Sequence, residues 1–404
     1  MLFSYLAILF ISNNYGAEVF GRFSLLQTLL QFSIVVFSLG LSTLTVKLTA
    51  DTNFFSGNKP LNSYLKNSLI ILFVSSLVGT ILFWLFKDII VINIFNDAGL
   101  LDYFNYLIVF FVFAVFHDYL TEFLKGRHRF ILYGVFKFVL PSLIFILLLL
   151  LCYNLNAAEN SVFLSYILGF AVLVIPLLFL FPIKKLNTEH KHSSKSLLLV
   201  SYPMMFSAAF LFLSNWTDVF MLGAMASKED VGIYNAAYKL AILALIIINA
   251  VNTILAPKIS ELYSQGKHQE IKKEVQSATK LITYLTTPVV LILIFFRKPL
   301  LQLFGEEFVV GETALIIIAI GLFFNALSGS VGQVLNMTKH QNVLKKITII
   351  SVIANILLNY ILISRMGFLG AAVASLISNI LLNTLCVIVI KREFNFYAFF
   401  NPWA

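Results

Sequence analysis

The side chains able to do chemistry in this sequence are few, and most of them stand inside hydrocarbon. Lys239 lies near the start of "YNAAYKLAILALIIINAVNTIL" (234–255), an otherwise almost wholly apolar run, and Asp218 lies in "NWTDVFMLG". A charge at the centre of a bilayer costs about 2.5–3.5 kcal/mol on insertion scales, so such residues face a bundle interior or a wet cavity and pair with one another. Counted from Ala226 and Val231, the outer ends of two successive runs, both residues sit about 12 Å deep on adjacent antiparallel helices. An ammonium there attracts a phosphate or a sugar, and the carboxylate holds it or exchanges a proton. A structural ion pair, or snorkelling of Lys239 to the outer headgroups, is the plain alternative.

A second cluster is "FHDYLTEFLKGRHR", with His117, Asp118 and Glu122 near the inner end of a run. Asp118 and Glu122 share a helix face at i,i+4, and Glu122 reaches Lys125 or Arg129. Coupled antiport needs a carboxylate or histidine that titrates in a partly buried place, whereas an ordinary charged helix end would look the same. Arg22, just inside the outer end of its run, suits a phosphate contact or a snorkelling anchor.

Neutral polar residues form stripes. Ser24, Gln27, Gln31, Ser38, Ser42 and Thr45 keep to one helix face, as do Ser351, Asn355 and Asn359, and Ser375, Asn379 and Asn383. Amides and hydroxyls are what a glycan path requires, and the first stripe is assigned to a cavity. For the last two runs, and for Asn325, Gly329, Gly332, Gln333 and Asn336, interhelical glue and close contact compete with that assignment. The substrate-contacting set is therefore Lys239, Asp218, Arg22, Gln27, Gln31 and Asn235, with Asp118, Glu122 and His117 for ion coupling.

These residues need a scaffold, and composition names it. Of 404 residues 60% are hydrophobic and 12% charged, against about 45–50% and about 25% in soluble domains. Crossing a hydrocarbon core of about 30 Å takes about 20 apolar residues. Runs of that order are centred on 22–48, 64–86, 101–124, 130–153, 160–183, 197–226, 231–256, 279–296, 311–336, 344–364 and 368–390, with a short twelfth at 1–11. They are too long and too continuously apolar for barrel strands. The fold class is an all-α polytopic membrane protein of about twelve transmembrane helices. The first run has no basic leader and no small-residue cleavage site, so it is read as part of a spanning helix.

Placing the N-terminus in the cytoplasm puts three quarters of the 28 Lys and Arg, Lys137 among them, on the inner side. Arg22, Lys87, Lys228, Arg297, Lys298 and Arg365 fall outside, and Lys239 remains in the membrane, as the positive-inside rule favours. The net charge of +9 thus reports orientation and not a nucleic-acid surface. Cys152 and Cys386 both lie in apolar runs and carry no functional signal.

The chain also repeats itself. A shift of 211 lays "GAEVFGRFS" (16–24) on "SKEDVGIYN" (227–235), so that Glu18, Gly21 and Phe23 meet Glu229, Gly232 and Tyr234, and Lys47 meets Lys258. Two parallel six-helix bundles around a central cavity follow: 1–183, a cytoplasmic linker at 184–196, 197–390, and a cytoplasmic tail at 391–404. The same shift puts Met1 on Phe212, although the matching run starts near Leu197, so the first helix is expected to be short or to lack its front.

"NNYGAEVFGRFSLL", "ASKEDVGIYNAAYKLA", "LAPKISELYSQGKHQEIKK" and "MGFLGAAVASLIS" resemble the polysaccharide-specific transporters, or O-antigen flippases, of the multidrug/oligosaccharidyl-lipid/polysaccharide exporter superfamily. The resemblance runs from Ile8 onward and implies bundles that rock around a cavity to carry an undecaprenyl-diphosphate-linked oligosaccharide to the outer leaflet. Many relatives place a basic residue directly after the acidic one in the seventh helix, where this chain has Val219.

No Walker-type loop, HExxH, CxxC or DxD pair is present, so ATP hydrolysis and metal-dependent sugar transfer have no motif, and no cofactor is expected beyond a coupling proton or sodium ion. A polysaccharide polymerase or ligase would carry a long outer loop, whereas the longest here spans about 16 residues from Lys87 to Asp102. A cation-coupled drug antiporter of the same superfamily shares the fold but prefers an acidic cavity. The expected partners are a lipid-linked oligosaccharide, the bacterial inner membrane with both termini cytoplasmic, and a polymerase or glycosyltransferase. The inner segment "KISELYSQGKHQEIKKEVQSATK" is expected to form a helix along the headgroups.

Overall fold

The computed structural model describes residues 2–50, 58–180 and 194–402, and among these every regular element is helical. The helices are α1 (Leu2–Phe37), α2 (Leu41–Ala50), α3 (Asn58–Asp88), α4 (Leu100–Gly126), α5 (Phe130–Gly134), α6 (Leu140–Asn154), α7 (Ser161–Phe179), α8 (Ser194–Met225), α9 (Lys228–Ala241), α10 (Leu245–Ser264), α11 (His268–Phe295), α12 (Arg297–Gln302), α13 (Glu312–Ser328), α14 (Val331–Met337), α15 (Gln341–Met366) and α16 (Phe368–Phe394). Among the described residues eleven segments are long and apolar enough to cross a bilayer. The first of them holds two of the expected helices, because α1 is broken at Gly16 (φ +83, ψ 178), a conformation that glycine reaches without a Cβ penalty. Ser4 meets Ser142, and Phe10 and Tyr15 meet Tyr153 eleven residues further along α6, yet Phe23 stacks back on Phe145. The chain therefore reverses direction between Tyr15 and Phe23. The all-helical polytopic class stands.

The helices group into two compact units, Met1–Tyr15 with Arg22–Trp216, and Gly16–Gly21 with Thr217–Ala404. The division falls inside α8 and not in the 184–196 linker, most of which lies outside the described residues. In the first unit α4 packs against α2, α3 and α7, and α6 packs against α7. Its loop between α3 and α4 is clamped by Arg22, which donates to both oxygens of Asp97 at 2.8 and 3.1 Å.

In the second unit α16 packs against α13 and α15, and α11 against α10 and α13. Residues 16–21 belong here because of a reciprocal glycine contact. A Cβ on Gly21 would lie 1.7 Å from the Lys228 carbonyl oxygen, and one on Gly232 would lie 2.1 Å from that of Ala17. The 211-residue shift relates Ala17 to Lys228 and Gly21 to Gly232, so each repeat presents the same glycine to the same backbone position of the other.

The charged segment 258–280 departs from expectation. It is not a separate surface helix, because α10 and α11 run on to Ser264 and back from His268 as a hairpin tied by Lys258 and Glu274 at 2.7 Å. Its apolar residues, Ile259, Leu262, Ile271 and Val275, are buried against Val331, Val334, Cys386 and Ile390, so protein and not headgroup covers that face. The tail is packed as well: Phe396 and Ala398 are buried, and the Phe400 N–H donates to Leu327 O at 2.7 Å.

Candidate functional site

Two polar constellations lie among the apolar helices, one in each unit. In the first, a cavity of about 420 Å³ is lined by Gln27 and Gln31 of α1, His117 and Asp118 of α4, and Tyr166 of α7, with Ser4, Ser142 and several aromatic rings. Four residues proposed from sequence for two separate roles therefore share one wall. The cavity also holds a residue that the sequence reading had counted with the inner loop cations, Lys137. It is instead a half-buried charge of the span, and its position follows from Pro141. A proline ring crowds the carbonyl four residues before it and donates no hydrogen bond, and that residue is Lys137. The helix absorbs the mismatch in a π-helical turn, Val135–Val139, with Lys137 at its centre.

That turn sets the electrostatics. Lys137 Nζ lies 2.5 Å from Asp118 Oδ1 and 3.5 Å from Glu122 Oε1. Ser42 donates to Asp118 Oδ2 at 2.8 Å. Glu122 has two further partners, Lys125 at 3.4 Å and the Tyr133 hydroxyl at 3.3 Å. The Phe136 carbonyl can only accept, so His117 Nε2 donates to it at 3.0 Å. His117, Asp118 and Glu122 thus form part of a charge network within the unit and not a solvated helix end.

The second constellation surrounds Asp218, which is 8% exposed. Asn355 and Asn359 of α15 donate to its Oδ1 at 3.1 and 2.7 Å. The Tyr234 hydroxyl of α9 donates to Oδ2 at 2.8 Å, and Ser375 of α16 donates to the same oxygen. Asn359 also donates to Asn355 Oδ1 at 3.0 Å. Lys239 is not among these partners, so the pairing expected from equal depth does not form; Lys239 stays half-buried on α9. The polar faces of the last two spans, weighed as glue, are glue centred on a charge.

Two other expected cavity residues are engaged elsewhere. Arg22 is paired with Asp97 in the loop between α3 and α4. Asn235 is buried, and its amide donates to Val231 O at 2.9 Å, within its own helix.

Broken apolar helices in two units, one holding Asp118 in an ion-pair network and the other Asp218 among neutral donors, define a multi-pass membrane protein of the MOP superfamily fold. Solved structures agree on the fold: an inward-facing multidrug resistance MATE family transporter of that superfamily superposes with TM-score 0.84 at 15% identity, covering 97% of this chain and 94% of its own. The lipid II flippase MurJ in an inward closed conformation gives 0.80 at 15% identity, covering 96% and 85%.

The family profile described as polysaccharide biosynthesis protein matches residues 1–263, and the MatE profile matches 203–361. The chain belongs to the polysaccharide biosynthesis protein family. Similar sequences include the probable low-salt glycan biosynthesis flippase Agl15 of Haloferax volcanii, 28% identical over 165 residues, which are 41% of this chain and 35% of that protein. The capsular polysaccharide biosynthesis protein CapF of Staphylococcus aureus is 25% identical over 247 residues, 61% and 62% of the two chains. The chain thus spans between 35% and 62% of the length of these two curated relatives.

Proposed function

We propose that this protein is a flippase that carries a polyprenyl-diphosphate-linked oligosaccharide, an O-antigen, capsule or exopolysaccharide repeat unit, from the inner to the outer leaflet by alternating access. The observation that carries the reading is the first-unit cavity, where two glutamine amides and the Tyr166 hydroxyl stand beside Lys137. Amides and hydroxyls suit sugar hydroxyls, and an ammonium suits a phosphate. The names of the relatives, flippases and capsule proteins, support the same class, and with it a carrier that breaks no covalent bond. Cation bias supports cytoplasmic termini in a bacterial inner membrane, and a polymerase or glycosyltransferase would be the partner that consumes or supplies the cargo.

The coupling ion would be a proton or sodium. Asp218 is the first choice for it, because among the described residues its carboxylate is met by four neutral donors and by no cation; Asp118 with Glu122 and His117 is the second. A drug antiporter is the competing function, favoured by the MatE match over 203–361.

Reconstituted vesicles separate the two. Transbilayer movement of a fluorescent lipid-linked oligosaccharide above that in protein-free vesicles, reduced severalfold by Gln27→Leu with Gln31→Leu, is the expected outcome. Movement of a lipophilic cation, with none of the oligosaccharide, would establish the antiporter instead.

A further inference from the structure

We propose that Asp118 is an internal placeholder for a phosphate anion: Lys137 is held by Asp118 while the cavity is empty of cargo and is handed to a phosphate oxygen of the cargo when it enters. The proposal rests on the flippase reading for the identity of the anion, and on the geometry of the first unit for everything else.

Three features distinguish this pair from an ion pair that only holds helices together. The first is access. Lys137 and Asp118 both line the cavity, and their side chains keep 21% and 24% of their surface. A pair that served packing alone gains from being sealed, since an exposed pair contributes little to stability.

The second is that both carboxylates have somewhere to turn when the ammonium leaves. Asp118 keeps the Ser42 hydroxyl, and Glu122 keeps Lys125 and the Tyr133 hydroxyl. Removing one partner of a buried pair is costly because the other is left bare, and here neither carboxylate would be bare.

The third is the carrier of the ammonium. Lys137 sits at the centre of the π-helical turn Val135–Val139, the kind of irregularity that re-aims a side chain and recurs at functional sites. A lysine is a compact charge with rotatable donors on a flexible stem, so it can change oxygen partners without moving its helix. The phosphate replaces one oxyanion by another of equal or greater charge.

Exchange makes the two charges act in opposite directions on anion binding. If Lys137 is released from Asp118 in about one molecule in ten, removing the competing charge raises apparent affinity about tenfold. The probe is inorganic pyrophosphate, titrated calorimetrically into the purified full chain in neutral detergent at low salt. Asp118→Asn should bind it about tenfold more tightly than wild type, Lys137→Gln should lose binding, Lys137→Arg should retain it, and the double variant should behave as Lys137→Gln.

Ser42→Ala leaves both charges in place but removes the fallback donor of Asp118, so it should weaken binding severalfold. That variant keeps the test open where Asp118→Asn does not fold, and thermal unfolding of each variant reports on folding. Equal affinities for wild type, Asp118→Asn and Ser42→Ala would overturn the placeholder role, as would pyrophosphate binding that survives Lys137→Gln.

Displacement of bound pyrophosphate by a lipid-linked diphosphate, and not by phosphatidylglycerol micelles, assigns the site to the cargo; displacement by the micelles alone would overturn that assignment. The vesicle assay is read separately. Cargo movement without the opposed shifts sinks the placeholder and leaves the flippase standing, whereas opposed shifts without cargo movement do the reverse.

Discussion

At the scale of single residues, four polar side chains of the second unit converge on one carboxylate. Burying an isolated carboxylate is prohibitive, and it persists only where hydrogen bonds replace its water. Asp218 obtains four, two from amides and two from hydroxyls, each strengthened because the acceptor is charged. A bond to a charged group contributes about 1.5–3 kcal/mol. Asn359→Leu removes the 2.7 Å donor at similar volume, so it should lower stability by about 2 kcal/mol, read as a reduced thermal midpoint in detergent. An unchanged midpoint would mean that the carboxylate is supported from elsewhere. Lys239 on α9 is tested separately: if it attracts the anion of the cargo, Lys239→Ala should reduce cell-surface glycan while protein levels stay normal, and unchanged glycan would remove it from the mechanism.

At the scale of elements, backbone contact decides which substitutions the helices tolerate. A methyl at Gly21 or Gly232 would overlap a carbonyl oxygen of the facing helix, with distances of 1.7 and 2.1 Å. Overpacking costs typically about 1–3 kcal/mol, and these contacts leave nothing flexible to yield. Gly21→Ala and Gly232→Ala should each lie at or beyond the upper end of that range. Gly134 in α5 is the control, since a Cβ there meets nothing within 4 Å; Gly134→Ala should be neutral or stabilise by up to about 1 kcal/mol through helix propensity. Equal midpoints for all three variants would show that the glycine contact is not close in solution. The spans were legible in the sequence because hydropathy acts over about 20 residues at a time, and the charged hairpin of α10 and α11 was legible as helix but not as to what covers it. Lys137 was missed because a cation near a basic loop obeys the positive-inside rule wherever it points. Its signal was there to read in "FILYGVFKFVLP", a lone lysine in an apolar run with proline four residues on. The partners of Asp218 were beyond sequence reasoning, since Asn355, Asn359 and Ser375 stand 137 to 157 positions away and equal depth does not fix which way a side chain faces.

At the scale of the molecule, the chain holds two charged centres with unlike surroundings. In the first unit Asp118 has a resident cation, Lys137, and opens on a cavity. In the second unit the donors that Asp218 has among the described residues are all neutral. A carrier driven by an ion gradient needs one site that recognises cargo and another whose occupancy biases the conformational equilibrium, and coupling is the free energy that links them. A carboxylate without a counter-charge is the better ion site, because an arriving proton or sodium ion removes an uncompensated charge, whereas at Asp118 it would have to displace Lys137. Asp218→Asn keeps the volume and most of the hydrogen bonds but abolishes the charge. In vesicles loaded with lipid-linked oligosaccharide, the variant should still let cargo equilibrate across the bilayer. It should no longer respond to an imposed proton or sodium gradient that accelerates the wild type several-fold, because a site of equal affinity in both conformations shifts nothing. Testing the two gradients separately identifies the ion. Should Asp218→Asn retain the full gradient response while Asp118→Asn loses it, the ion site belongs to the first unit, and cargo and ion compete for a single network there.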